Sequence, residues 1–390
     1  MSVSEWREVR LGDLVTFQRG HDLPRKEMKD GPYPVVGSNG IIGYHSEYTT
    51  DAPCITIGRS GNVGNPFLLK CKTWAHNTTL YVKEFKNTDP IFIYYLLKTL
   101  DLGHYAGGSA VPTLNRNHIH PILVSAPESI KEQHSIAVTL SVLDDMIELN
   151  NQINKTLEEM AQAIFKSWFV DFEPFRDGEF EESEIGPIPK GWKVGMLGDF
   201  VEIVDNRGKT PPLSDVKTEY PIIDVRALSG ESRVIDYSNC TKYVEKEIYD
   251  SWFRSGHPKH LDILISTVGS IAEMKMFYGN KGCIAQNVVA FRSNGISPCY
   301  LYQYLQYSKG DLLSYNIGSV QPSIKVTHVI KYKIIVPDEK TMSSFDMLME
   351  SISDQIHRNA NESQILIAIR DTLLPKLISG EIRVPVEEVV

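Results

Sequence analysis

Two stretches of the chain repeat each other, and this duplication restricts the possible folds more than any other feature. Trp6, Leu11, Gly12, Asp13 and Val15 are repeated, always 186 positions later, as Trp192, Leu197, Gly198, Asp199 and Val201. Self-similarity at a fixed interval indicates one structural unit used more than once. Because 390 residues exceed the usual size of one domain, the repeat predicts two related domains.

The repeat extends further along the chain, although its second copy is longer. Tyr33-Pro34 corresponds to Tyr220-Pro221, but later matches are 208 to 210 positions apart, so the second copy holds about twenty extra residues before Gly269. The later matches pair Gly61, Ala75, Asn77, Gly108, Ser109, Pro112, His118 and Pro127 with Gly269, Ala285, Asn287, Gly318, Ser319, Pro322, His328 and Pro337. We expect the insertion to form a surface loop, where added length closes at little free-energy cost.

Each copy leads into a long segment that has the pattern of a coiled-coil helix. Residues 129–173 contain no Gly or Pro, and residues 338–374 repeat the pattern in a run that ends at Pro375. The predicted helix-pairing positions are Leu143, Ile147, Asn150, Leu157, Ile352, Ile356, Asn359 and Leu366. Matched polar seam residues such as Asn150 and Asn359 favour one defined alignment, although exposed kinks would also explain them.

The resulting prediction is an α+β protein in which two similar mixed α/β domains are separated by two long helices that form an antiparallel coiled coil. The predicted boundaries are 1–128 for the first domain, 129–173 for a central helix, 174–191 for a linker, 192–337 for the second domain, 338–378 for a C-terminal helix and 379–390 for a tail.

Composition limits the possible environment and partners. The sequence has 42% hydrophobic residues and no uninterrupted apolar run of about 18 residues, so we expect a cytoplasmic protein without a membrane partner. Five cysteines without a CxxC pair predict buried free thiols. The net charge of −9 does not suggest a nucleic-acid-binding surface, so DNA binding would require local basic loops.

No motif in the sequence supports catalysis. Asn65-Pro66-Phe67 resembles the catalytic tetrapeptide of an adenine methyltransferase, but one Pro and the glycine-rich cofactor strand are missing. His118, His120, His257 and His260 lack Cys or carboxylate partners at ligand spacing. We therefore predict no catalytic residue, no metal and no cofactor in this chain.

Polar and basic loops of the two copies are the candidate DNA-binding sites. In Gly58-Arg59-Ser60-Gly61-Asn62, flexible glycines flank side chains that bind phosphates and base edges, although a solvated hairpin tip would have the same composition. The candidates in the first copy are Ser38, Asn39, Arg59, Ser60, Asn62, Asn115 and Arg116. Those in the second copy are Arg207, Lys209, Arg226, Ser270, Gln321 and Lys325. Different loops in the two copies predict different half-sites.

The architecture by itself indicates a protein that contacts two sites at a fixed separation. A helix of about 40 residues is roughly 60 Å long, which is between one and two turns of B-DNA. A two-headed scaffold that binds proteins would need the same arrangement, so both interpretations remain open at this point.

The segments around the helices resemble one known family. AIFKSWFVDFEPF (residues 163–175), GPIPKGW (186–192) and LLPKLISGEIRV (373–384) are similar to hallmark regions of the specificity subunit of type I restriction-modification enzymes. The order of domain, helix, domain and helix also resembles this family across essentially the whole chain.

The resemblance implies a subunit that selects DNA while its partners carry out the chemistry. Each target recognition domain would read one half of a bipartite, asymmetric site in double-stranded DNA, and the helices would set the spacing. Two modification subunits, which methylate adenine with S-adenosylmethionine, would dock on the chain. Restriction subunits, which translocate and cut DNA, would complete the complex.

Overall fold

The computed structural model describes residues 5–107, 112–208, 210–279, 281–318 and 320–385. It forms two compact units, one made of Met1–Ile147 with Gln364–Val390 and the other of Glu148–Ser363. Each unit therefore contains one copy of the repeat and a part of both long helices. This arrangement, together with the mixed strands and helices, confirms the predicted α+β class.

The first unit begins with short strands and ends its globular part at a long helix. Its strands are β1 (Trp6–Arg10), β2 (Val15–Arg19), β3 (Tyr33–Gly37), β4 (Gly40–His45), β5 (Cys54–Gly58), β6 (Pro66–Leu69), β7 (Trp74–Ala75), β8 (Thr79–Phe85) and β9 (Leu123–Pro127). Its helices are α1 (Leu11–Leu14), α2 (Pro90–Thr99), α3 (Arg116–Ile119) and the long α4 (Ile130–Phe169), which continues into the second unit.

Three sheets organise this unit. The order β2-β8-β5-β6 forms an antiparallel sheet, while β3 pairs with β4 in antiparallel and with β7 in parallel orientation. β1 pairs with β9, so the start of the domain lies beside the strand that leads into α4. One apolar core, including Phe17, Phe92 and Leu140, packs the sheet and α2 against the helix.

The second unit repeats this order. Its strands are β10 (Phe180–Ser183), β11 (Gly186–Pro189), β12 (Lys193–Met196), β13 (Val201–Val204), β14 (Ile222–Ile223), β15 (Ile263–Ser266), β16 (Met274–Met276), β17 (Cys283–Ile284), β18 (Val288–Ser293) and β19 (Lys333–Val336). Its helices are α5 (Lys246–Trp252), α6 (Pro298–Tyr307), α7 (Lys309–Ser314), α8 (Val326–Val329) and α9 (Glu339–Ile378), the last of which ends in the first unit.

The pairing of strands shows that the two copies share a fold. β12 pairs with β19 as β1 does with β9, and the sheet β13-β18-β15-β16 corresponds to β2-β8-β5-β6. Helices α2 and α6 both start with Pro after a capping residue. Asp89 accepts from the amides of Ile91 and Phe92, and Ser297 caps α6 in the same way.

The insertion in the second copy is only partly a surface loop. It lies where the first unit has β4 and contains α5, but it also supplies Ala227, Leu228, Ile235 and Cys240 to a buried cluster. The prediction of a surface loop was therefore wrong for this part, because its apolar side chains pack with Ile223, Leu264 and Val288 of the domain's strands.

The long helices run antiparallel within each unit. In the second unit, Asn154 forms a hydrogen bond with Asn359 and Asn150 forms one with Glu362. Residues later in α4 therefore lie beside residues earlier in α9, as in an antiparallel pair. In the first unit, Asp144 of α4 accepts from Arg370 of α9. Among the predicted helix-pairing residues, Asn150, Ile356, Asn359 and Leu366 are buried, whereas Leu143, Ile147, Leu157 and Ile352 are half-buried.

Helix α9 passes through Pro375 and ends at Ile378, whereas the prediction that all five cysteines are buried was wrong. Pro375 has no amide hydrogen, so only the carbonyl of Asp371 loses its helical hydrogen bond, and this exposed residue is accessible to water. The helix continues because Leu377 and Ile378 are buried in the core. Four cysteines are buried free thiols, but Cys71 is exposed.

Candidate nucleic-acid interface

In the first unit, Thr78 holds two of the predicted loops together. Its carbonyl accepts from the amides of Arg59 and Ser60, and its hydroxyl accepts from the amide of Ser38. The β3–β4 turn, which contains Ser38 and Asn39, therefore lies beside the loop that follows β5. Ser38 itself is only 8% exposed, whereas Asn39 is exposed.

The loop after β5 makes a tight turn that requires glycine. A Cβ on Gly58 would lie 1.8 Å from the carbonyl oxygen of Asn62, and Gly61 has φ +87°. The side chain of Asn62 accepts a 2.5 Å hydrogen bond from Asn65. Arg59, at the beginning of this turn, is thereby placed on the side that faces the segment around Asn115.

A polar cleft joins this loop to two other segments of the first unit. It has a volume of about 640 Å³ and lies where β2 ends, next to the start of α3. The residues that line it are Gln18, Arg19, Gly20, His21, Asp22, Arg59, Leu80, Thr113, Leu114, Asn115, Arg116 and Asn117. Three predicted residues, Arg59, Asn115 and Arg116, thus meet in one cleft.

The start of α3 is held in place by local hydrogen bonds. Asn115 caps the helix by accepting from the amide of Asn117, while a guanidinium nitrogen of Arg116 lies 3.5 Å from the carbonyl of Phe17. His120 accepts from the amide of Phe17, which requires a neutral ring nitrogen. Burial, together with the charges of Arg116 and Lys86, lowers the pKa of His120, so it stays neutral at pH 7.

Cationic groups predominate in the cleft. Arg19 lies 3.4 Å from Asp22. By contrast, the Arg59 guanidinium donates to the carbonyl of Asn77, and the Arg116 guanidinium donates to the carbonyl of Phe17. Within the described residues, neither Arg59 nor Arg116 forms an ion pair. Their charges are therefore available to an anionic ligand such as a phosphate, despite the acidic total of the chain.

The corresponding region of the second unit brings together three other predicted residues. The amide of Gly269 donates to the carbonyl of Pro322, and Ile324 donates to Thr267, which places the loop with Ser270 beside the segment that contains Gln321 and Lys325. These three predicted residues are exposed, and Lys325 directly precedes α8.

Two of the remaining predicted cations of this unit, Arg207 and Arg226, are paired with carboxylates. Arg207 forms bonds of 2.9 and 2.8 Å with both carboxylate oxygens of Asp205. Burial alone would raise the pKa of Asp205, but the bonds from Arg207 lower it. Arg226 lies in a separate segment and binds Asp224 and Thr241. Lys209 lies outside the described residues.

Sequence reasoning missed Gln18, Arg19, His21 and Asn117 in the first cleft. The repeat could have identified Arg19 and His21. They lie 186 positions before Asp205 and Arg207, which belong to a segment predicted to bind DNA in the second copy. The other two lie beside Arg19 and Arg116 along the chain, but nothing in their own pattern marks them as cleft residues.

The long helix α4 also presents an apolar surface that the fold leaves open. Val138, Val142 and Met146 are exposed in the first unit. Leu149, Ile153 and Met160 are exposed in the second. Residues three and four positions apart share a helix face, so these side chains form an exposed apolar strip on each part of the helix.

The described residues contain neither a metal-binding group nor a membrane-spanning helix. In these parts of the chain, no group of three or more His, Cys, Asp or Glu side chains is arranged to hold a metal ion. None of their helices has the length and apolar character needed to cross a membrane.

Duplicated domains with polar, cationic loops, carried by antiparallel helices, define a two-site recognition scaffold. The family described as type I restriction modification DNA specificity domain matches residues 3–159 and 189–366. The chain belongs to this family of specificity subunits of type I restriction-modification systems, which confirms the resemblance found in the sequence.

Individual relatives agree with this assignment. The MjaIX specificity subunit of Methanocaldococcus jannaschii is 28% identical, and the match covers 75% of this chain and 69% of the relative. The MjaVIII specificity subunit of the same organism is 23% identical, with coverage of 97% and 93%. The crystal structure of an S subunit from M. genitalium shares the fold, with a TM-score of 0.60 and 18% identity over 96% of each chain.

Proposed function

We propose that this chain is the non-catalytic subunit that selects the DNA target of a type I restriction-modification complex. The first target recognition domain, residues 1–128, reads one half of a bipartite, asymmetric site, and the second, residues 192–337, reads the other half. The observation that carries this proposal is the first-domain cleft, where Arg59 and Arg116 form no ion pair with any described residue and lie beside the side chains of Asn115 and Asn117.

The chemistry of the cleft matches double-stranded DNA. Guanidinium groups bind phosphates and also the O6 and N7 atoms of guanine, while Asn and Gln amides pair with adenine in the major groove. Arg19, Arg59 and Arg116 supply the first type of group. Gln18, Asn115 and Asn117 supply the second. This set predicts a half-site with purine contacts and strong binding to the backbone.

The second domain reads a different sequence because its loops differ. Ser270, Gln321 and Lys325 form its exposed polar group, and Arg207 and Arg226 contribute cations that are already paired with Asp205 and Asp224. A paired arginine contributes less net attraction to phosphate, so this half-site depends more on direct hydrogen bonds than on charge.

The long helices set the distance between the half-sites and dock the catalytic partners. The residues 129–173 and 338–378 form the spacer, and 174–191 link the first helix to the second domain. The exposed apolar side chains of α4 supply a surface for two modification subunits, which hold S-adenosylmethionine and methylate adenine. Restriction subunits then join to translocate and cut the DNA.

The decisive experiment is sequencing of adenine methylation in cells that express this chain with its modification subunit, compared with cells that lack the chain. We expect methylation at a split, asymmetric motif that disappears without the chain. Transfer of residues 1–128 between relatives should change one half of that motif only. A change in both halves would contradict the assignment of one domain to each half-site.

Salt dependence separates this proposal from a scaffold that binds proteins. The reconstituted complex should bind its target in a sequence-dependent manner, and its affinity should fall steeply as the salt concentration rises, because phosphate contacts release counterions. Binding that ignores both DNA sequence and salt, together with unchanged methylation, would favour the protein scaffold.

A further inference from the structure

The insertion of the second domain carries a completely buried arginine that contacts both long helices. Arg233 has an exposed fraction of 0%. Its guanidinium donates bonds of 2.9 and 2.7 Å to the two carboxylate oxygens of Glu158 on α4 and one of 2.6 Å to the hydroxyl of Ser353 on α9. Its main-chain amide also donates to Glu158, so one residue connects the domain with both helices.

The surroundings of Arg233 fix its position within the domain. Its carbonyl accepts from the amide of Met276 on β16, and its guanidinium lies 5.0 Å from the centre of the Tyr302 ring. The buried ammonium group of Lys275 donates to the carbonyls of Gly230 and Ser232, which precede Arg233. The loop that presents Arg233 is therefore tied to the sheet and cannot move independently.

Arg233 is one of several attachments between the domain and the helices. Another is an aromatic cluster in which Phe165 and Phe169 of α4 and Phe345 of α9 pack against Tyr300. Glu158 precedes Phe165 by seven residues, which corresponds to about 10 Å along a helix. Attachments at separate points along α4 resist rotation of the domain more strongly than an attachment at one point.

The first domain attaches to the helices with different residues. Tyr95 of α2 donates a 2.7 Å hydrogen bond to Asp144 of α4, and Asp144 also accepts from Arg370 of α9. The insertion that carries Arg233 has no counterpart in this domain. The ionic attachment supplied by Arg233 is therefore a property of the second domain and not of the repeated fold.

We propose that Arg233 is a positioning residue that fixes the second recognition domain on the two long helices. It thereby restricts the number of base pairs that the protein accepts between the two half-sites, which is the DNA spacer. The restriction of the spacer rests on the proposed function, whereas the locking of the domain does not. Arg233 contacts no DNA in this proposal, so its loss leaves the two half-site sequences unchanged.

The test variant is Arg233→Met combined with Glu158→Leu. Removal of one partner alone would leave a buried, unpaired charge and endanger folding, whereas replacement of both by apolar residues is often neutral. The matched control is Arg292→Met combined with Asp262→Leu. This pair, with N–O distances of 3.1 and 2.8 Å, lies inside the same domain and does not contact the long helices.

The first measurement uses the isolated full-length chain. Two spin labels are attached, one at Ser314→Cys on α7 and one at Gln152→Cys on α4. The exposed Cys71 is replaced by Ser so that it is not labelled. Pulsed electron paramagnetic resonance then measures the distribution of distances between the domain and the helix. We expect the Arg233 double variant to broaden this distribution and the Arg292 control to leave it narrow. An equally narrow distribution in both variants would overturn the locking role.

The second measurement uses the chain with its modification subunit and DNA targets whose spacers are one base pair shorter or longer. We expect the preference for the native spacer to fall about tenfold in the Arg233 double variant, with both half-sites retained. A broadened distribution with an unchanged spacer preference would overturn the proposal. If the wild-type chain directs no bipartite methylation, the proposed function fails, and the distance distribution alone decides whether Arg233 locks the domain.

Discussion

The amide nitrogen of Asn359 donates a 2.9 Å hydrogen bond to the amide oxygen of Asn154 in the buried interface of the two long helices. Asn154 in turn donates to the carbonyl of Ile356, and the two asparagines are only 5% and 6% exposed. A shift of one helix along the other would leave these amides buried without partners. The pair therefore defines the alignment of the helices in the second unit.

The first prediction concerns this asparagine pair. Asn359→Leu should lower the free energy of unfolding by about 1 to 3 kcal/mol, because it leaves the buried amide of Asn154 without its donor. The double variant Asn154→Leu with Asn359→Leu should recover most of this loss, since neither polar group remains. Denaturant unfolding of all four proteins in a double-mutant cycle measures the coupling. Additive losses would show that the two amides do not depend on each other.

The second prediction concerns the cleft of the first domain. Arg59→Ala and Arg116→Ala should each weaken DNA binding by the assembled complex by about 1 to 3 kcal/mol, because each removes a cation that forms no ion pair in the described part of the chain. The slope of log affinity against log salt should become shallower by about one for each lost phosphate contact. Fluorescence anisotropy at several salt concentrations measures both quantities.

Arg7→Ala is the matched control for the cleft variants. Arg7 lies on β1 of the same domain, is exposed and is already paired with Glu128 at 3.3 Å, and it does not line the cleft. Its replacement should leave affinity and salt slope unchanged. Equal losses for Arg7 and Arg59 would mean that general charge, and not the cleft, determines binding.

The third prediction concerns Gly64, which has φ +89°. A Cβ at this position would lie 2.4 Å from the backbone nitrogen of Gly103. Gly64→Ala should therefore lower the free energy of unfolding by about 2 kcal/mol or more, through backbone strain and a steric clash. Gly191→Ala, at φ +87° but in open space, isolates the strain and should have the smaller effect in thermal unfolding. A similar loss in both variants would argue against the clash.

The fourth prediction concerns the pH dependence of stability at Lys275. Burial lowers the pKa of Lys275 from 10.5 to about 8, although the nearby carboxylates of Glu273 and Glu158 oppose the shift. Between pH 8 and 10.5 the unfolded chain keeps a proton that the folded chain has lost. The contribution of Lys275 to the free energy of unfolding therefore rises as the pH increases from 8 to 10.5.

Comparison with Lys275→Met isolates this contribution. The free energy of unfolding of the wild type, relative to the variant, should rise by at most about 3 kcal/mol from pH 8 to 10.5. Denaturant unfolding at closely spaced pH values provides the measurement. Parallel curves for the two proteins would show that Lys275 has the same pKa in the folded and unfolded states.

Local features of the sequence were sufficient to predict the repeat, the α+β class and the long helices. The segments expected at 129–173 and 338–378 correspond to α4 at Ile130–Phe169 and α9 at Glu339–Ile378. A helix depends on contacts between residues three and four positions apart, so its signal is contained in a short stretch of sequence. The same is true of the caps at Asp89 and Ser297.

The family resemblance also came from the sequence, because the segments beside the helices carry it directly. Loop composition identified Arg59, Asn115 and Arg116 as polar candidates, but it could not show that they share a cleft with Arg19 and His21. It also could not show that Arg207 and Arg226 are paired with carboxylates two positions away, because a hairpin tip with free cations has the same composition.

Only the tertiary structure decided which distant residues meet. Asn154 was not among the predicted seam residues, yet it is the partner of Asn359, and Arg233 lies in a segment that was expected to be a surface loop. Such contacts join residues more than seventy positions apart, as Arg233 and Glu158 show. Their formation depends on how sheets and helices pack, and no local preference of the chain encodes that packing. The sequence by itself thus determined the repeated elements and the family, and packing determined the cleft and the attachment of the second domain to the helices.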